Sequence, residues 1–380
     1  MTFTKGQYGF DLEKLKDNFT TIELVAGPSR LVLVPELQGR VMTSTTSGEE
    51  GFSFGWINHQ LVASSMRSEQ FNAFGGEERF WLGPEGGQFS VYFEKGKKMV
   101  INNWKVPACI DTMPWEVREV MPEMATFFKE FSVKNYSGTE FSLAVTRRVG
   151  IIFPDEVAGI LPVEIGPSIR SVAYESINEI RNNGTDDWNK ETGLLSVWML
   201  SMYNPSPEVT IVVPFKKEGT GGIVKDDYFG EIPSDRLKVA ADVVYFKADG
   251  KLRGKIGMSP ERAMPVLGSY DARNGCLTIL ETSIDPEATG YVNSSWEERQ
   301  DEPFKGDVIN AYNDGPLEGG AQLGPFYELE SSSAALELKA DEAKFHLQRT
   351  YHFEGNEEDL SRIAEKILGV SIQTIKGVFD

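Results

Sequence analysis

The chain has 380 residues, of which 40% are hydrophobic and 11% aromatic, enough for a large core, so global disorder is not expected. Its formal net charge of −19 argues against nucleic acid, because phosphate binding needs clustered Lys and Arg, and against an anionic membrane surface. No run approaches the roughly 18 apolar residues of a membrane-spanning helix, so a small neutral molecule or a cation remains as the compatible ligand class.

Taken in chain order, "MTFTKGQYGFDLEKLK" has no basic region followed by an apolar stretch. The sequence as it stands is therefore expected to be cytoplasmic, or periplasmic if a leader was removed. Leu12, Leu15 and Phe19 recur at helical spacing and predict a short helix over 10–19. "RLVLVPEL" reads as a strand. The segment "FNAFGGEERFWLGPEGGQFS", residues 71–90, follows. "FSVKNYSGTEFSLAV" predicts a hairpin turning at Ser137-Gly138, and "RNNGTDDWNK" (181–190) a long polar loop. "LLSVWML" and "EVTIVVPF" are β-branched or apolar strands. "VVYFKADGKLRGKIGM" predicts a hairpin at Asp249-Gly250, and "SYDARNGCLTILET" another at Asn274-Gly275. Residues 297–320 read as a second long polar loop. "LGPFYELESSS" and "AALELKADEAKFHLQRTYHF" alternate like strands, the latter on both sides of a polar turn. "GNEEDLSRIAEKILGV" predicts a helix over 357–368, capped by Asn356 and ended by Gly369. Many strands, few helices and no βαβ alternation predict an all-β, largely antiparallel protein, organised as one domain over 1–380.

The glycine-rich segment lacks the lysine and the following helix of a phosphate loop, and its carboxylates would repel phosphate. Its glycines suit a close approach of backbone to ligand. With Arg79, Trp81 and Glu78 it suits a sugar site, in which aromatic faces stack on the pyranose and charged groups hold the hydroxyls. Glu328 and Glu330 share one face of a strand. Trp198, Leu200 and Met202 share another. His59 in "GWINHQ" is a candidate acid or base, and Asp314 in "AYNDGPLE" a candidate ligand for a hydroxyl or a hard cation. The alternatives are core packing for Trp81 and Trp198, a structural histidine, a solvated strand edge and a plain turn. Cys109 and Cys276 read as two structural thiols. The three histidines lack zinc spacing, so no metal or cofactor is expected.

The order "LVLVPELQGRVMTSTTSGEEGFSFGWIN", "FGGEERFWLGPEGGQFSVYF", "ETGLLSVWML", "LGPFYELESSS", "AKFHLQRTYHF" resembles the galactose mutarotase-like (aldose 1-epimerase-like) superfamily, and within it an uncharacterised bacterial family. The resemblance covers about residues 20–355. It implies a β-supersandwich with a carbohydrate cleft on one concave sheet, an arginine at Arg79 and a glutamate base at Glu330, beside Glu328. It implies ring opening of an aldose, with an acid protonating the ring oxygen. The superfamily's mid-chain histidine is missing: none lies between His59 and His346, and Trp198 and Tyr203 stand in that region. His59 is then the histidine left for the acid. The alternatives are a non-catalytic carbohydrate-binding module, or a lyase or hydrolase using paired carboxylates on the same fold.

Overall fold

The computed structural model describes residues 2–317 and 319–380; Met1 and Glu318 lie outside the described residues. Its frame is two antiparallel sheets packed face to face. The larger has ten strands, in the order 237–240, 243–247, 209–214, 266–271, 276–282, 343–354, 170–182, 140–152, 124–134 and 116–120. The smaller has five, in the order Gly254–Met258, Ile309–Asn313, Tyr327–Ser332, Ser196–Tyr203 and Arg79–Gly83. A third sheet of three strands, Ile22–Ala26, Ser29–Val34 and Arg40–Thr45, adds its apolar face near the N-terminal half. This is the antiparallel sandwich expected from the strand-rich sequence.

Alternation along each strand decides what lies between the sheets. Tyr327 and Leu329 point toward the ten-stranded sheet and pack with Val209, Ile211, Leu267 and Leu280. The Tyr327 hydroxyl meets Ser269 Oγ at 2.9 Å. Each buried Leu or Ile is stabilising by about 1.5–3 kcal/mol. The outer face of the large sheet is covered by the helix Glu357–Leu368, whose Leu360, Ile363, Ala364 and Leu368 pack on Val212, Ile279 and Tyr351. That helix has the expected bounds: Asn356 accepts from the Asp359 N–H, and Gly369 closes it at φ 73°. The N-terminal helix runs Tyr8–Lys16, slightly earlier than expected, and Phe19 packs from beyond its end. Short helices at His59–Ala63 and Ile372–Gly377 were not anticipated.

The hairpins at Ser137-Gly138 and Asn274-Gly275 form as expected. The one at Asp249-Gly250 does not. Gly250 does turn the chain, at φ 70°. Its N–H, however, is received by Asn313 Oδ1 at 2.9 Å, which ties the turn to the other sheet. Val243–Lys247 thus stays in the ten-stranded sheet, while Gly254–Met258 becomes an edge of the five-stranded one. The expected 297–320 loop contains the strand Ile309–Asn313, flanked on both sides by partners. Residues 334–338 do not pair with Ala343–Glu354; Leu336 bridges Leu195 instead. Both cysteines are buried free thiols.

Candidate functional site

The outward face of the five-stranded sheet is a cleft floor, and its composition follows from register. Arg79, Leu200, Glu330 and Asn310 stand directly opposite one another. Met202, Glu328, Tyr312 and Lys255 form the next rung, and Trp81, Trp198 and Ser332 the rung on the other side. Directly opposed residues share a face, and so do residues two apart on a strand. Loops roof this floor with Phe71, Glu85, Trp104, Phe229, Trp296 and Phe326. The cleft has about 550 Å³ of atom-free space, counting the open solvent at its mouth.

Four ionisable side chains interlock on the floor. Glu330 Oε2 accepts from Trp198 Nε1 and from Lys255 Nζ, each at 2.9 Å; Glu330 Oε1 has no partner among the described residues. Glu328 accepts from the Arg79 guanidinium. Lys255 Nζ also sits 4.6 Å from the Trp198 ring centroid, a cation–π contact. Burial pushes the Glu328 carboxyl up to about 7; Arg79 opposes this and the Glu330 charge adds to it. Burial by itself would lower Lys255, but the Glu330 and Glu85 carboxylates override it and hold the ammonium above its ordinary range. Tyr312 donates to Asp314 Oδ1 at 2.8 Å and receives Arg253 Nε at 3.2 Å.

Glu85 stands apart from these pairs. It comes from the loop after the Arg79–Gly83 strand, is half-buried, and makes no side-chain hydrogen bond or ion pair at bonding distance among the described residues. Burial raises its carboxyl, with Lys255 and the nearby Trp296 indole opposing. Its backbone is tightly fixed. The Glu85 N–H donates to Ser294 Oγ at 3.1 Å. Next to it, a Cβ on Gly86 would lie 2.1 Å from the Ser295 carbonyl oxygen, so only glycine permits this approach. Gln88 and Gln300 bond reciprocally at 3.0 and 2.9 Å.

Of the residues named from sequence, Arg79, Trp81, Trp198, Glu328 and Glu330 converge on the cleft. Three do not. His59 lies on the short helix by the N-terminus, bonded at 2.6 Å to Asp11 and edge-on to Phe10. Glu78 points into the layer between the sheets, fully buried, holding Arg147 at 2.6 Å and Gln348 at 2.9 Å. Alternation explains this: Arg79 and Trp81 share the cleft face, so the residue before Arg79 takes the opposite one. Asp314 sits behind Tyr312, which it braces, and accepts from the Gly324 N–H at 3.0 Å. The residues missed from sequence are Lys255, Arg253, Tyr312 and Glu85. The last lies inside the glycine-rich stretch 71–90, where it is the acid nearest the glycine pair 86–87.

The fold is galactose mutarotase-like. Among solved structures, a protein described as a "putative aldose 1-epimerase" from Escherichia coli K12 aligns at TM-score 0.52 and 10% identity, over 89% of this chain and 99% of that one. The Slr1438 protein of Synechocystis sp. PCC 6803 aligns at TM-score 0.51 and 12% identity, over 94% and 100%. A galactose mutarotase-like protein from Lactobacillus casei ATCC 334 aligns at TM-score 0.49 and 9% identity, over 88% and 100%. The first two superpositions establish shared architecture and, at such low identity, leave activity open. No curated protein matched the sequence. The model of a family of unknown function, DUF6786, matches residues 6–379, and the chain belongs to that family.

Proposed function

We propose that the cleft binds a carbohydrate and interconverts its anomers by acid/base ring opening. One observation supports this above the rest. Glu330 is fixed through one oxygen by Trp198 and Lys255 and keeps the other without a partner among the described residues, in the same cleft as Glu85 and the tryptophans. In the reaction, Glu330 Oε1 takes the proton of the anomeric hydroxyl while the Glu85 carboxyl gives one to the ring oxygen. The C1–O5 bond breaks, the aldehyde rotates, and closure on its other face returns both protons. Lys255 keeps a positive charge beside Glu330 throughout. No metal or cofactor is needed for this step. Glu85 takes the role expected of His59, which is engaged elsewhere with Asp11.

A second reading is sugar binding without turnover. It is favoured by the indole N–H groups of Trp81 and Trp104, two cleft-lining residues, which have no partner among the described residues and suit hydroxyl oxygens of a bound sugar.

The test follows anomer exchange by NMR across a panel of aldoses. Glu330→Gln and Glu85→Gln should each lower the rate by about 100-fold or more. In Glu85→Gln the fall in rate toward high pH should vanish as well, since burial raises the carboxyl that must stay protonated. Full activity in Glu330→Gln would remove it as the base. Sugar binding by an inactive wild type would leave the binding reading standing.

A further inference from the structure

Among the described residues the cleft carries three cations, and two are matched. Arg79 is paired with Glu328 and Lys255 with Glu330. Arg253 is not: among the described residues no carboxylate lies within ion-pair distance of it. Its guanidinium is nevertheless held in place. Its plane lies over the Phe229 ring at 3.6 Å from the centroid, and Nε donates to the Tyr312 hydroxyl at 3.2 Å. That hydroxyl is anchored by Asp314, which the Gly324 N–H fixes in turn. Stack and bond together orient the fork and leave its terminal nitrogens unengaged among the described residues. A preorganised, unpaired guanidinium is suited to bidentate binding of a planar or tetrahedral anion. It lines the same cleft as the matched Arg79 and Lys255.

Resting on the carbohydrate reading above, we infer that the sugar bound here carries an anionic substituent, a carboxylate or a phosphate, received by Arg253. The position of that group follows from the strand. Arg253 precedes Lys255 by two residues, about 7 Å along an extended chain, and Lys255 contacts Glu330 at the proposed reacting centre. The separation is about that of one pyranose ring. The anion therefore belongs on the same monosaccharide as the anomeric carbon, at the end of the ring remote from it.

Isothermal titration with D-glucuronate, D-galacturonate and glucose 6-phosphate, each against D-glucose and D-galactose, tests this. An anionic sugar should bind about tenfold or more tighter than its neutral parent. The uronate and phosphate arms identify which anion is preferred. Arg253→Met keeps an unbranched stem and removes the guanidinium that lies over Phe229. It should bring the anionic sugar down to the neutral sugar's affinity for the same variant, and Arg253→Lys should recover part of the loss. Raising the ionic strength should weaken only the anionic arm in wild type. Equal affinity for anionic and neutral sugars, or a preference that survives Arg253→Met, would overturn the inference while leaving the carbohydrate reading intact. Failure of every sugar to bind, with the protein folded, overturns both.

Discussion

Glu328→Gln isolates the energetic cost of placing a second carboxyl on the cleft floor. The wild-type group is raised from 4.5 to about 7, chiefly by burial. In the folded protein it holds its proton over a pH range in which the unfolded chain has released it. The stabilisation linked to that proton is fully present below pH 4.5 and is lost as pH climbs through about 7. At 1.36 kcal/mol per pH unit the swing is about 3 kcal/mol. The substituted amide does not titrate, so the variant lacks this slope. It also replaces the acceptor facing Arg79, which shifts its stability by an amount nearly independent of pH. The informative quantity is therefore the pH dependence of the difference between the two proteins. Urea unfolding at intervals from about pH 4.5 to 8.5 should show wild type losing about 3 kcal/mol relative to the variant across that range. Parallel curves would refute the claim that a buried, elevated carboxyl lies at this position.

Two further outcomes follow from the same site. Lys255→Met leaves the fully buried Glu330 without its ion-pair partner. The cost should be about 3–5 kcal/mol, or roughly 4–6 °C in Tm at about 2.1 cal/mol/K per residue. Adding Glu330→Gln should recover most of it in calorimetry, and a double variant no more stable than the single would count against the pair as the cause. His59→Ala should leave sugar affinity and turnover within about twofold of wild type, because His59 contacts Asp11 and Phe10 rather than the cleft; a loss of turnover at unchanged stability would place it back in the reaction.

Much of the cleft is readable from local pattern. A period of two sets Glu328 with Glu330 and aligns Trp198, Leu200 and Met202 without knowledge of any partner strand. The same period, applied one residue further, separates Glu78 from Arg79. The reading fails where a residue's role depends on which sheet its strand joins. Lys255 and Arg253 follow an Asp-Gly turn that looks like a hairpin locally, and Tyr312 lies in a polar stretch with a weak strand signal. Glu85 is visible, but nothing in a glycine-rich loop says that it bends back over the floor. That bend depends on Ser294, Ser295 and Gln300, more than 200 residues away in the chain.

The strand-rich architecture, the capped helix 357–368 and the shared face of Glu328 and Glu330 are all written locally. Each is encoded by neighbours within a few residues, through alternation, capping and turn chemistry. Which charges meet is a property of the assembled sheets: Lys255 with Glu330, Arg79 with Glu328, Arg253 with no carboxylate among the described residues, and His59 with Asp11 instead of the cleft. These pairings depend on long-range strand register, which turns on hydrogen bonds such as that from Gly250 to Asn313. No short window of sequence contains both ends of such a bond.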